Sequence, residues 1–272
     1  NSLQQFKRFK NQCRPTTQIG LRLNPEHVEV TNKLYSPCVP GSRFGVRAQD
    51  LAESNLDQIS GFHIHALCQN NDESLVRLMA ATEDKFATYL AEDTIRWINF
   101  GGGHMIPQEG YNSTQLCNAI NAFQNKYNVQ IILEPGEAVV YQAGELVASV
   151  LDIVHNKLAI AILDTSATAH MPDVLEMPYR PNVTGAAMPG NAPYTYRLGG
   201  NTCLSGDVIG EYSFDQPLSI GDKLIFEDMA QYTMVKNTTF NGINLPDIYV
   251  KRLNGAIECV AEFNYDTFKS RV

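Results

Sequence analysis

No stretch of the sequence stays apolar for the ~20 residues that a membrane-spanning helix needs, which excludes helical membrane insertion. Nor does a signal peptide open the chain. Asn1 to Arg14 is polar, carries Lys7, Arg8, Lys10 and Arg14, and has no apolar centre. No starting methionine is present, so the chain is read as a fragment. Basic residues are in deficit: 21 Lys and Arg stand against 29 Asp and Glu, a formal net charge of −8. That balance argues against nucleic acid, which selects for basic patches, and suits a cationic small substrate. No Cys-x-x-Cys pair occurs among Cys13, Cys38, Cys68, Cys117, Cys203 and Cys259. Scattered cysteines of this kind exclude a disulfide framework or a zinc ribbon and point to a reducing compartment, the cytoplasm. The sequons at Asn112, Asn182 and Asn237 are read as chance matches in a chain that is not secreted. No repeat or low-complexity segment is found.

What is present is centred on Ile98-Asn99-Phe100-Gly101-Gly102-Gly103-His104. A β-branched and aromatic run ends in three glycines, where the backbone can reach positive φ and approach a ligand closely. A strand over Val129 to Leu133 follows and ends in Glu134-Pro135-Gly136. Strand, glycine loop, helix, strand and acid is the order of a parallel α/β enzyme that grips a phosphate. Earlier strands are expected over Gln18 to Leu23, interrupted by Arg22, and over Ile59 to Ala66, where a period of two puts His63 and His65 on one face. The expected helices are Ala48 to Asn55, Asp72 to Leu90 and Ser113 to Tyr127, the last capped by Ser113 or Thr114.

Beyond residue 140 the rhythm changes to short strands: Leu146 to His155, Leu158 to Asp164, Leu204 to Val208, Lys223 to Phe226, Ile248 to Leu253 and Ile257 to Glu262. This pattern predicts a β-sandwich or β-barrel domain. The first segment holds four strand–helix units where a closed parallel barrel needs eight. It is therefore either an open doubly wound sheet or one half of a barrel whose N-terminal half lies outside the chain.

Several side chains carry candidate chemistry, each beside a plainer reading. Glu134, at the C-terminal end of a strand, could hold a pyridinium nitrogen protonated or bind a metal; a capping glutamate is the plainer reading. His63 and His65 have a zinc-compatible spacing but no third ligand in register, so a ring against a cofactor or a core histidine is favoured. Cys203 and Asp207 share a glycine-flanked loop and could donate a proton and bind an ammonium group, or form a buried thiol and its turn. Tyr232 could reach a phosphate or pack at a domain boundary.

Taken in order, Phe62-His63-Ile64-His65-Ala66-Leu67-Cys68, the Gly101 to Gly103 triplet, Leu133-Glu134-Pro135-Gly136-Glu137, the segment from His170 to Pro181 and Cys203-Leu204-Ser205-Gly206-Asp207 resemble the fold-type III pyridoxal-phosphate decarboxylases. These are the barrel-plus-β-domain enzymes that include ornithine and diaminopimelate decarboxylases. The wording is closest to the branch acting on carboxylated polyamines, carboxynorspermidine and carboxyspermidine. The resemblance spans essentially the whole chain.

It implies an alanine-racemase-like (β/α)8 barrel, its C-terminal half over residues 1–140, followed by a β domain over 141–272. It implies pyridoxal phosphate as cofactor, with His63 against the ring, Arg22 near it and Glu134 at its nitrogen. Gly101, Gly102 and Gly103 bind the phosphate through their N–H groups, joined by Tyr232. It further implies a homodimer with shared active sites, in which Cys203 and Asp207 reach into the neighbouring subunit, and Glu176 and Asp207 meet the substrate's cationic tail. Glu137 stands where ornithine-type enzymes carry a phosphate-binding arginine. The Schiff-base lysine of the family is expected upstream of Asn1. Two competing readings are a non-catalytic relative that regulates by pairing, opposed by the retention of Glu134, the glycines, Cys203 and Tyr232, and an alanine-racemase-like enzyme, opposed by the Cys203 loop.

Overall fold

A computed structural model describes residues 1–52 and 56–272. The chain divides into two units, Asn1–Val139 and Val140–Val272. In the first, β1 (Ile19–Arg22), β2 (Ile59–His63), β3 (Trp97–Asn99) and β4 (Gln130–Ile132) form one parallel sheet in the order β1-β2-β3-β4. Each strand lies beside its predecessor. A doubly wound sheet reverses direction at a switch point, whereas a barrel adds strands in sequence. The progression here is that of a barrel segment.

In this unit the strands are shorter than expected: β1 and β4 lose a residue at each end and β2 its last three. The second ends at His63, so His65 lies beyond the strand. The helix expected over Ala48 to Asn55 is observed over Ala48–Leu51, and its last three residues lie outside the described ones. The two long helices, Asp72–Leu90 and Ser113–Tyr127, fall where the helical period of Leu75, Leu78, Met79, Phe86 and Leu90 predicts. The second is capped not by Ser113 or Thr114 but by Asn112, whose side chain accepts from the Gln115 N–H at 3.0 Å.

The register aligns the strands row by row. Leu21, Phe62, Ile98 and Ile131 form one row, and Arg22, His63, Asn99 and Ile132 the next. Leu21, Phe62 and Ile98 are buried and join the helix residues Leu75, Leu78 and Phe86 in one core. The apolar row anchors the sheet, and the polar row after it lies at the C-terminal ends of the strands.

The second unit is built on a five-stranded sheet in the order β8-β7-β6-β5-β9, from β5 (Leu146–Asn156), β6 (Leu158–Leu163), β7 (Tyr194–Gly199), β8 (Val208–Phe214) and β9 (Lys223–Phe226). A separate hairpin pairs β10 (Ile248–Lys251) with β11 (Ile257–Ala261). Strands β7 and β8 are absent from the sequence reading, and the strand expected over Leu204 to Val208 is instead a turn that ends as β8 begins. Its backbone bends because the Asp207 N–H donates to the Leu204 carbonyl at 2.9 Å and the Asp207 side chain gathers the loop around itself. All six cysteines are free. No described helix is long and apolar enough to cross a membrane.

Neighbouring glycines make room for a large ring. A Cβ added at Gly61 would lie 2.1 Å from the Trp97 indole, and one at Gly20 2.2 Å from it. Gly61→Ala is therefore expected to destabilise the chain by about 1–3 kcal/mol, as overpacking does, in urea titration. Gly136→Ala, where a Cβ meets nothing within 4 Å, is the control. Equal midpoints for the two variants would contradict this packing.

Candidate active site

The polar row at the strand ends brings the expected residues of the first unit together. The Arg22 guanidinium lies over the Phe44 ring, 4.3 Å from its centroid, and donates to the His65 carbonyl at 3.0 Å. His63 Nε2 is buried, lacks a hydrogen-bond partner among the described residues, and stands 3.7 Å from Glu134 Oε2. The His63 and His65 rings are 6.1 Å apart although only His63 belongs to a strand. Burial holds both rings below the ordinary histidine value. For His63 the Glu134 carboxylate opposes that shift, while the Arg22 charge adds to it for both.

The glycine loop is differently arranged from its sequence reading. Gly101 and Gly103 adopt φ of +68° and +85°, the left-handed region that glycine enters without a steric cost. The Gly101 N–H, however, donates to Asn99 Oδ1 at 2.8 Å, and the Gly102 N–H to His65 Nδ1 at 3.2 Å. Two of the three expected phosphate donors are thus engaged by protein side chains. Gly103 N–H meets no acceptor among the described residues. The buried His104 ring braces the loop, its Nε2 3.0 Å from the Gly101 carbonyl.

Asn99 is the residue that the sequence reading passed over. Its Nδ2 donates to Glu134 Oε1 at 2.7 Å while its Oδ1 accepts from Gly101. The local signal was slight: a polar residue closing β3, two positions before the first glycine. Glu137 accepts from Gln69 Nε2 at 2.7 Å, so the residue in the arginine's place is held as an acid bound to a side-chain amide.

His63, His65 and Glu134 each offer a ligand atom, all within 4.8 Å of one another. The third metal ligand that the strand pattern does not show is Glu134, brought over by β4. The donor set would accept zinc, but the permanent charge of Arg22, which is felt by both histidines, opposes a divalent cation. A flat aromatic ring that donates an N–H to a carboxylate at one edge and carries an anionic group elsewhere suits these groups, Arg22 included.

The second unit holds the other expected residues. Asp207 is buried, and its carboxylate accepts from Ser166 Oγ at 2.8 Å, Thr202 Oγ1 at 2.6 Å and the Thr168 and Thr202 N–H groups, each at 3.2 Å. Three of those bonds end on Oδ2 and one on Oδ1, so the carboxylate shapes the loop while Oδ1 keeps acceptor capacity. Cys203, exposed on that loop, accepts from Asn241 Nδ2 at 2.8 Å. Asn241 itself sits at φ +59°, a conformation that asparagine tolerates better than most residues. Glu176 pairs with Lys236 Nζ at 2.7 Å, and Asp173 binds the same ammonium. Tyr232 opens the short helix Tyr232–Val235 and is exposed.

A family model described as "Pyridoxal-dependent decarboxylase, C-terminal sheet domain" matches residues 35–230. A carboxynorspermidine/carboxyspermidine decarboxylase of Campylobacter jejuni is 43% identical over 282 residues, covering 100% of this chain and 73% of the relative. A carboxyaminopropylagmatine decarboxylase of Synechocystis is 44% identical over 275 residues, covering 100% and 70%. A crystal structure of the Campylobacter jejuni carboxynorspermidine decarboxylase with norspermidine superposes with a TM-score of 0.89 at 42% identity, covering 100% of this chain and 74% of that one.

The lowered histidines give a stability test. Below the ordinary value of 6.5 the unfolded chain takes up protons that the folded His63, His65, His104 and His170 refuse. Stability therefore falls as the pH drops through 6.5 towards the lowered values, and levels off once the folded rings also protonate. The urea midpoint is expected to be lower at pH ~5.5 than at pH ~7.5, a window above the carboxylate range. An unchanged midpoint would contradict the buried, neutral rings.

Proposed function

Because the chain belongs to the pyridoxal-dependent decarboxylases, we propose that it removes the carboxylate of a carboxylated polyamine, releasing CO₂ and the free polyamine. It is a pyridoxal-phosphate enzyme with the family's barrel-plus-sheet fold. Carboxynorspermidine and carboxyspermidine are the substrates that the Campylobacter jejuni relative's name supports. The Synechocystis relative, of nearly equal identity, adds carboxyaminopropylagmatine. The shared chemistry is an amino acid carboxylate at one end of a long cationic chain, and the acidic balance of this protein suits such a substrate. We read residues 1–140 as the C-terminal half of the barrel and 141–272 as the β domain, working in the cytoplasm as a homodimer.

The observation that carries the reading is the approach of Glu134 to His63 at the strand ends: His63 Nε2 is buried, makes no hydrogen bond among the described residues and lies 3.7 Å from Glu134 Oε2. Bound pyridoxal phosphate supplies an electron sink for the carbanion left by CO₂ loss. Glu134 Oε2 would accept from the protonated ring nitrogen and keep it charged, since a nearby carboxylate favours the cationic form. His63 would lie against the ring face, kept neutral by burial, and Arg22 would add the site's positive charge close by. Gly103 N–H would hold the phosphate; Gly101 and Gly102 contribute by shaping the loop.

Cys203 would return a proton from Sγ to the substrate's α-carbon, acting in the neighbouring copy's site. Asp207 would fix the loop through Oδ2 and meet an ammonium group of the substrate's cationic tail through Oδ1. Glu176, as an acidic substrate-binding position, would exchange its Lys236 partner for a substrate ammonium.

The test is CO₂ release by the full-length protein from carboxynorspermidine, carboxyspermidine and carboxyaminopropylagmatine, with ornithine and diaminopimelate as comparison. Turnover of one or more of the first three, well above the last two, is expected; turnover of ornithine or diaminopimelate alone would overturn the substrate assignment. Glu134→Gln is expected to lower kcat by roughly 10²-fold, the scale of losing an electrostatic stabiliser. Cys203→Ala should slow turnover or misplace the proton while cofactor binding persists. A wild-type rate with wild-type product from either variant would remove its assigned role.

A further inference from the structure

Asn99 closes β3, one row above the apolar core, and its side-chain amide is used at both ends. Oδ1 accepts from the Gly101 N–H at 2.8 Å and Nδ2 donates to Glu134 Oε1 at 2.7 Å. The orientation of the amide follows from its partners. A flipped amide would set N–H against N–H and a carbonyl oxygen against a carboxylate. The Glu134 N–H in turn donates to the Gly101 carbonyl at 2.8 Å. Three bonds therefore form a closed circuit: Gly101 to Asn99, Asn99 to Glu134, Glu134 to Gly101.

We propose that Asn99 is the positioning residue for Glu134, holding one carboxylate oxygen so that the other is presented to the cofactor's ring nitrogen. The inference rests on the reading of Glu134 given above. Glu134 is otherwise poorly constrained, with half its side chain exposed and three rotatable bonds to order. The bond from Asn99 takes Oε1 and leaves Oε2 on the His63 side.

A neutral donor has a specific advantage here. An arginine or lysine in the same place would also hold the carboxylate, but it would neutralise the charge that the ring nitrogen needs. An aspartate would repel it and force a proton to be shared between the two acids. The amide supplies direction without charge. The same side chain ties the acid to the glycine loop, so the groups assigned to the two ends of the cofactor are held by a single residue.

The experiment uses the full-length holoenzyme and four variants: Asn99→Asp, Asn99→Ser, Asn99→Ala and Glu134→Gln. Asn99→Asp keeps the shape and the acceptor for Gly101 but exchanges the donor for a second carboxylate. The readouts are the rate of pyridoxal-phosphate loss on dilution, the pH profile of the cofactor's visible band, and the melting temperature of the cofactor-free protein. Asn99→Asp is expected to lose cofactor about tenfold faster than wild type, the scale of one hydrogen bond to a charged group, with the band's pH profile displaced and the cofactor-free melting temperature little changed.

If Asn99→Asp folds poorly, Asn99→Ser, which adds no charge, is expected to show the faster loss. Asn99→Ala should show it too, with a lowered melting temperature because the loop bond is also lost. Wild-type cofactor retention and pH profile in the Asp and Ser variants, beside an impaired Glu134→Gln, would overturn the role of Asn99 and leave that of Glu134 standing. A Glu134→Gln enzyme matching wild type in both readouts would instead remove the reading of Glu134 on which the inference rests.

Discussion

The candidate site of the first unit depends on the register of one parallel sheet. Arg22, His63 and Asn99 occupy a single row across β1, β2 and β3, and in-register neighbours in a parallel sheet share a face. The row beneath them, Leu21, Phe62 and Ile98, is buried. Burial of that row fixes the next one, because a slip of one residue would send every side chain to the opposite face. Three polar groups far apart in sequence therefore meet through no attraction of their own. The hydrophobic effect places them, at the strand ends where ladder pairing stops and side chains are free to act.

How much of this was legible in the sequence follows from what each feature requires. The long helices depend on periodicity along one segment, and Asp72–Leu90 and Ser113–Tyr127 were read at their observed limits. Glu134 and the glycines were legible as local phrases. Asn99 was legible only as a polar residue near the glycines; its link to Glu134 was not, because that bond joins the ends of two strands 35 residues apart. The approach of His65 to the glycine loop was missed for the same reason. A period of two placed it on β2, whereas it lies past the strand's end and still delivers its ring to Gly102.

In the second unit the failures have another cause. The apolar residues around Leu204 resemble a short strand, but a buried carboxylate prevails over β-propensity. Asp207 collects bonds from Ser166, Thr168 and Thr202, and a buried acid left without them would cost far more than a lost strand residue. Loop shape here is set by satisfying one charge. That also explains how a thiol as exposed as Cys203 can be held in a fixed place, with Asn241 on its other side. Lys236 between Asp173 and Glu176 follows the same rule: one ammonium is shared by two acids.

The glycine triplet was recognised at the right place for an incomplete reason. The expectation was three bare amides awaiting a phosphate. The structure shows three positions at which the chain itself comes too close for a side chain. A Cβ at Gly101 would lie 2.6 Å from the His65 ring, one at Gly102 2.5 Å from the Glu134 carbonyl, and one at Gly103 2.2 Å from the Leu67 carbonyl. The triplet is thus first a packing device that lets the ends of β2, β3 and β4 converge, and convergence is what the Asn99 circuit needs. Of the three amides, those of Gly101 and Gly102 are engaged by Asn99 and His65, which leaves Gly103 as the one on which the proposed phosphate contact rests. Glu137, bonded to Gln69, brings a negative charge to the position that the resemblance assigns to an arginine, so the proposed phosphate contact there would have to rest on neutral donors such as the Gly103 amide.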